Sequence, residues 1–557
     1  MAVADMNADG RDDLVHFDRA RTLIIDYQTA QEGVFAHDAL GSFSETNVWT
    51  LVIADVDHSG RNDLLFGGYF DGLHLLKSTG TSDFEASTLP NSQVFLQGTN
   101  FADINHDGWL DVFACNDYGD SLKFRNDGAG GFLLANEILD TTTTIPSDNS
   151  GNYGSVWTDY DGDGDLDMYL SKCKSTASSS ADPRRINMLF RNDGEAGYHE
   201  VAAEAGLKLG EQSWAADFGD IDNDGDLDAI VGNHKSASRL FVNNGDGTFT
   251  DRTSAYGIAV GFDVIQCLFR DFNNDGWLDL LLTGSKTRFY RNRGDGRFRE
   301  VSGLFPGGYI ESCAIGDLNH DGFLDVYAGY AQLYNTPTAK PDRLFVNEGN
   351  SNGFLAVTLE GVASNRSAVG ARLELHGAWG VQVREVRAGE SYGITNSFTK
   401  VFGLGNTLQA TRLVIRWPSG TIDELEEPAP NQFLSLREGF SRMSFKQWQA
   451  TTPGAGTAST SNHDGDAFDD LMEFALGGDP KASTLVGIGP KLVEVAGSLQ
   501  VRYTRPDDRE GVEYQLERSI DLHGWVSMSA TVEGVHVTSS FPTSPRGFVR
   551  LRVKLTS

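Results

Sequence analysis

The chain is short of several things, and each shortage removes a class of protein. It has four cysteines in 557 residues, Cys115, Cys173, Cys267 and Cys313. That is too few to staple a fold of this size with disulfides, so they read as buried free thiols. It has no apolar run of ~20 residues, so no membrane-spanning helix is expected. It has little positive charge: 45 Lys and Arg against 78 Asp and Glu, a formal net charge of −33. That balance opposes nucleic-acid backbones, which select for Lys and Arg. It also has no His-x-x-x-His, no Cys-x-x-Cys and no phosphate loop. The expectation is that the chain is not an enzyme, although carboxylates from separate segments could still converge as an acid/base pair.

What the chain has in excess is aspartate at fixed spacing. Asp159-Tyr-Asp161-Gly-Asp163-Gly164-Asp-Leu-Asp167 sets oxygen side chains at positions 1, 3, 5 and 9, with glycine at position 6. Alternating positions turn their oxygens inward, the glycine allows a sharp reversal, and the ninth residue closes the shell around a hard cation. Six further copies follow. They are Asp5, Asn7, Asp9 and Asp13; Asp55, Asp57, Ser59 and Asp63; and Asp103, Asn105, Asp107 and Asp111. Then come Asp220, Asp222, Asp224 and Asp228; Asp271, Asn273, Asp275 and Asp279; and Asp317, Asn319, Asp321 and Asp325. The copy with Ser59 is the weakest. Every ligand position is oxygen and none is His or Cys, so Ca²⁺ is the expected cofactor. Two carboxylates ~4 Å apart repel by roughly 4 kcal/mol at an effective dielectric near 20, and a dication reverses that sign. Asp and Asn also cap turns through their own backbone, but seven copies in register argue for more than turns. His58, His106 and His320 stand at position 4, which is not a ligand position.

Successive copies start 46 residues apart at the closest, Asp271 to Asp317, and 61 at the widest, Asp159 to Asp220. A period of about 40–50 residues suits one propeller blade. Each repeat opens on a short apolar strand such as Val52-Ile53-Ala54, passes through the loop and continues as a second strand such as Ala229-Ile230-Val231. A third strand ends in aromatic-x-Asn-x-Gly, as in Phe124 to Gly128, Phe190 to Gly194, Phe241 to Gly245, Tyr290 to Gly294 and Phe345 to Gly349. Asn-x-Gly is hairpin chemistry, with both residues tolerating positive φ. A fourth strand starts at the next Phe. The first two repeats lack the Asn-x-Gly signature and are the more divergent. Two insertions, at about 172–183 and 330–341, are candidate rim loops for a partner.

These repeats resemble the FG-GAP/VCBS repeats of integrin α-subunit-type propellers, whose calcium loop has this aspartate pattern. Downstream, residues 353–438 alternate as half-buried antiparallel strands, a small sandwich. Ser364-Asn365-Arg366 with Val369 to Arg372, Phe402-Gly-Leu-Gly405 and Trp417-Pro-Ser-Gly420 resemble the ASPIC/UnbV domain. The two units together are similar in layout to the cartilage acidic protein family and its bacterial relatives. Residues 445–484 hold a Gly/Ala/Ser/Thr linker and a loop similar to a dockerin or EF-hand site, with oxygen groups on Asn462, Asp464, Asp466, Asp470 and Glu473. Residues 485–557 read as a small β-domain.

The expected fold class is therefore all-β: a seven-bladed calcium-binding β-propeller over 1–350, an ASPIC/UnbV-like β-sandwich, a short EF-hand-like helical segment and a C-terminal β-domain. The resemblance implies a secreted calcium-binding protein. The expected function is an extracellular binding or adhesion scaffold, monomeric, with a protein or polysaccharide partner. The alternatives are a calcium-dependent polysaccharide lyase or hydrolase on a propeller scaffold, and an accessory role in natural-product biosynthesis. The first strand enters directly on a cation loop, so the expectation includes a leader, and a ring-closing strand, ahead of Met1.

Overall fold

Seven antiparallel sheets follow one another from Ala2 to Phe345, six of four strands and a last one of three described strands. The computed structural model describes residues 1–439, apart from 32, 259, 307–309, 333–335, 338, 407 and 408. In the tail it describes 443–444, 491–495, 498–504, 509–510, 512–519, 526–528, 531–533, 536–541 and 548–555. The linker at 451–461 and the loop from Asn462 to Glu473 lie outside the described residues, and the 330–341 insertion is described only in part. Residues 1–438 form one compact unit and 439–557 a second.

In every sheet the strands run in chain order from the inner strand outward. Inner strands such as Leu96–Ala102 and Ser213–Gly219 are buried along their whole length. They are buried without alternation because both faces are covered, and their polar residues, such as Asn100 and Asp217, are hydrogen-bonded inside the ring. Outer strands such as Phe84–Thr88 are mostly exposed. Each inner strand packs on the next, and Ala2–Ala4 packs on Ser312–Gly316, so the first sheet meets the seventh. Gln28 Nε2 donates to Asp317 O at 3.2 Å across that seam, and Asp317 N donates to Asp12 Oδ2 at 3.1 Å. The result is a propeller-like ring. The four cysteines are free and buried.

The Asn of aromatic-x-Asn-x-Gly does something other than turn. Only the glycine takes a positive φ, +81° at Gly128 and +75° at Gly245. Asn243 ends its strand with the side chain buried. Its Nδ2 donates to Leu227 O at 3.2 Å within its sheet and to Tyr160 O at 3.0 Å in the preceding one. Asn126, Asn292 and Asn347 bridge to Val56 O, Ile221 O and Phe272 O in the same way. Gln28 replaces the Asn in the first sheet, and both divergent repeats still form four-stranded sheets.

Residues 353–437 form two facing sheets. One orders Lys400–Gly405, Gly353–Glu360 and Gln432–Arg437; the other orders Gly380–Glu385, Arg372–Gly377, Ala410–Arg416 and Ile422–Glu426. The expectation of antiparallel pairing throughout is corrected at one edge, where Gly353–Glu360 and Gln432–Arg437 run parallel. These strands open and close the domain, and the chain between them supplies the long crossover that parallel pairing needs.

Between Gly380–Glu385 and Lys400–Gly405, the segment 386–399 enters the ring and touches all seven inner strands. Val3 N donates to Thr395 O, Leu51 N to Gly393 O and Phe101 N to Ala388 O, at 2.8–3.0 Å. Arg387 bonds Thr158 Oγ1 at 3.0 Å and Asp217 Oδ1 at 2.9 Å. Cys267 N donates to Ser391 Oγ and Ile315 N to Asn396 Oδ1. A Cβ on Gly389 (φ +102°) would sit 2.6 Å from Thr99 O, and one on Gly393 (φ +59°) 2.5 Å from Thr50 Oγ1. Only glycine lets the plug lie this close to the wall.

In the second unit, Ser498–Thr504, Val512–Ser519 and Phe548–Leu555 are strands of two separate sheets.

Candidate metal centres

All seven aspartate loops join an inner strand to the second strand of its sheet, and each second strand begins on the ninth-position Asp. That residue is buried at every copy, because its carboxylate organises backbone. Asp228 Oδ2 accepts from Ile221 N at 3.1 Å, and its Oδ1 accepts from Asn243 N at 2.9 Å on the third strand. Asp13, Asp63, Asp111, Asp167 and Asp325 repeat both bonds. Each oxygen keeps a second lone pair, so the same group can still face a cation.

Position 1 holds the turn. Asp55 accepts from Ser59 N at 3.0 Å and Gly60 N at 2.7 Å, and Asp317 from Asp321 N and Gly322 N at 3.0 and 2.8 Å. Position 6 is glycine at φ between +81° and +99° throughout. Position 4 also takes a positive φ in every loop: Ala8, His58, His106, Gly162, Asn223, Asn274 and His320. Sequence reasoning identified only the glycine. Three of the position 4 side chains reach the next loop. Asn223 Nδ2 donates to Gly276 O, Asn274 Nδ2 to Gly322 O, and the His58 ring stacks on Trp109 at 4.0 Å.

Position 3 divides the loops into two kinds. Where it is Asn, the amide hydrogen-bonds its neighbour: Asn105 Nδ2 donates to Asp107 Oδ2 at 3.0 Å and Asn273 Nδ2 to Asp275 Oδ2 at 2.8 Å. Where it is Asp, three carboxylates face one another. Asp55, Asp57 and Asp63 each place an oxygen within 4.8 Å of the others, as do Asp159, Asp161 and Asp167, and Asp220, Asp222 and Asp228. Both oxygens of Asp220, Oδ1 of Asp222 and Oδ1 of Asp161 are buried with no hydrogen-bond donor on them, as is Oδ2 of Asp279 in the sixth loop. Buried acceptors without donors are costly unless something positive sits between them. Burial, then repulsion from Asp224, pushes Asp220 up to about 7; burial, then Glu385, does the same to Asp159. An oxygen-only, acceptor-only cluster with no soft donor fits a hard dication.

The domain at 353–437 covers these loops. Arg366 Nε lies 3.5 Å from Asp55 Oδ2 and supplies the second loop with part of its counter-charge. Asp55 N donates to Ser367 Oγ, and Asp159 N to Glu385 Oε1. A Cβ on Gly403 would lie 2.1 Å from Asp271 Oδ2. Asn365 is fully buried, its amide paired with Val369 N and O, so it shapes a turn. Trp417 Nε1 donates to Asp423 Oδ2 at 2.9 Å.

Family models now bear on this arrangement. The FG-GAP-like repeat model matches residues 55–114, 103–170, 220–282 and 271–328, and the ASPIC and UnbV model matches 361–442. The chain carries FG-GAP-like repeats and an ASPIC and UnbV domain. Cartilage acidic protein 1 of Homo sapiens is 25% identical over 297 residues, 46% of this chain and 43% of that protein. The Mus musculus protein is 26% identical over 253 residues and the Xenopus tropicalis protein 25% over 255, each covering 42% of this chain and 38% of the relative. The chain spans less than half the length of these relatives.

The FG-GAP loops and the ASPIC and UnbV plug also decide what two further sequence patterns mean. Gly389-Glu-Ser391-Tyr-Gly393 and Gly349-Asn-Ser351-Asn-Gly353 both fit Gly-x-Ser-x-Gly. Ser391 is fully buried in the plug, accepts from Cys267 N and is followed by no helix. Ser351 donates to Asn406 Oδ1 in a surface loop. Neither forms the strand–turn–helix of a nucleophile elbow.

Proposed function

We propose that the protein is an extracellular, calcium-rigidified binding scaffold. The orphaned acceptors of Asp161 in one loop and of Asp220 and Asp222 in the next carry this reading, because one dication in each loop is the simplest way to satisfy them. Ca²⁺ in these loops would brace the joints between inner and second strands and the surface on which the ASPIC and UnbV domain sits. Asp159, Asp161 and Asp167, and Asp220, Asp222 and Asp228, are the first residues to hold it. The net charge of −33 and the naming of vertebrate relatives as cartilage acidic protein support an exterior, calcium-rich setting. Among the described residues no helix is long and apolar enough to cross a membrane.

Thermal unfolding of the full chain with excess EGTA, then with millimolar Ca²⁺, tests this. A site filled 100-fold over its Kd adds about 2.7 kcal/mol to the unit that contains it. Asp222→Ala should remove more of the calcium-induced rise in Tm than Asn105→Ala. An unchanged melting curve would overturn the reading.

A second reading, a calcium-dependent carbohydrate-active enzyme, is favoured by one observation: a cavity at the far end of the channel is lined by Asp117 and Glu311.

A further inference from the structure

The FG-GAP loops lie where the inner strands end. Where those strands begin, the plug turns at Tyr392 and a cavity of about 770 Å³ opens. That is within the range of small-molecule sites. Its floor is Tyr392 to Ile394, and its wall carries Trp49, Phe95, Tyr153 and Trp214. Tyr153 and Trp214 lie parallel with centroids 6.1 Å apart, and Trp49 meets Phe95 edge-on at 5.1 Å. Polar groups share the lining with the rings. Gln97 is 1% exposed and Asp117 7%. Gln97 Nε2 and the Tyr153 hydroxyl both donate to Asp117 Oδ2, at 3.2 and 3.3 Å, and the Tyr392 hydroxyl donates to Gln97. The carboxylate is thus locked in one orientation.

Three more rings form a shelf at the rim. Tyr69 is 48% exposed, Phe70 44% and Tyr118 59%. All gather on Phe95, at centroid distances of 4.8, 6.2 and 5.1 Å. Phe70 holds a φ of 55°. Bulky L residues avoid that region, and such strain concentrates where it serves a ligand. Lys174, from the 172–183 insertion, stands 5.6 Å over the Tyr118 ring.

We propose that this plugged channel mouth, with the aromatic shelf beside it, binds a neutral oligosaccharide. The proposal rests on the scaffold reading and names what the scaffold holds. Pyranose rings offer apolar C–H faces that lie on aromatic rings, and in-plane hydroxyls that pair with amides and carboxylates. The exposed rings of the shelf, with oriented Gln97 and Asp117 in the lining beside them, meet both needs. The lining sets the carboxylates of Asp117 and Glu311 against the Arg21 guanidinium, so no single sign of charge selects an ionic ligand.

The test titrates the full chain in millimolar Ca²⁺ with cello-, xylo-, laminari-, manno- and chito-hexaose by calorimetry. At least one should bind, and Tyr118→Ala and Phe70→Gly, the latter suited to the backbone, should each weaken it about tenfold. Val362→Ala, at an exposed site on the ASPIC and UnbV domain, should leave it unchanged. Release of shorter products that stops in the same two variants would also support the site and add a reaction to it. No binding across the panel by a chain whose melting responds to Ca²⁺ would overturn the proposal and leave the scaffold reading standing. Affinity unaltered in both variants, or capture of apolar peptides in place of sugars, would overturn it as well. A chain with no calcium response fails the scaffold reading separately.

Discussion

Arg387 Nη1 donates to Asp217 Oδ1 at 2.9 Å, pinning the plug to the fifth inner strand inside the ring. The Asp217 side chain is fully buried, and the guanidinium also bonds Glu385, Thr158 and Phe218 O. The ASPIC and UnbV domain is therefore joined to the repeats by buried charge as well as by backbone.

Removing that guanidinium takes the nearest counter-charge from two buried carboxylates, Asp217 and Glu385. Arg387→Ala should cost roughly 3–5 kcal/mol in denaturant unfolding of the full chain, and removing Asp217 with it should recover part of the loss. A cost under about 1 kcal/mol would mean that the plug lies in the channel without contributing to its stability.

The Asn at the end of each third strand should matter more than hairpin chemistry implies. Asn243→Ala removes donors to two carbonyls and the acceptor for Gly245 N. The expected loss is about 1–3 kcal/mol. Its neighbour Asn244, itself exposed and with its side chain bonded to Thr248 and Thr250, should tolerate Ala within about 0.5 kcal/mol. Equal effects at the two positions would refute the bridging role.

The loops should link calcium to pH. Burial holds Asp220 and Asp159 at about 7 in the folded chain, against about 3.9 unfolded. The metal-free chain is then at its steadiest below about pH 4 as far as these groups are concerned, and loses their contribution as pH rises toward and through 7. Calcium competes with those protons, so the calcium-induced rise in Tm should grow from pH 5 to pH 8. Melting scans with and without EGTA at each pH check this; a rise of the same size at both ends would contradict it.

Repeat number, loop positions and the order of strands were legible in the sequence because they are local. A nine-residue aspartate pattern and a period near 50 residues fix where the chain turns and pairs with itself. The ASPIC and UnbV segment was legible as motifs, but the use of its 386–399 loop was not. That loop has no periodicity, and its role depends on a ring made by distant residues, from Ile315, 81 positions from its partner Asn396, to Ile53, 342 positions from Thr395. The same limit hid the second positive φ at Ala8 and His58, whose side chains give no local signal for it.

By itself the sequence determined an all-β chain with seven oxygen-rich loops, since spacing along the backbone sets which side chains can share a turn. Only the tertiary structure decided which loops have spare acceptors, that Arg366 serves one of them, and that Tyr392 floors an aromatic cavity. Those depend on which groups from distant segments meet out of water, where a missing partner is costly and a nearby charge is strong.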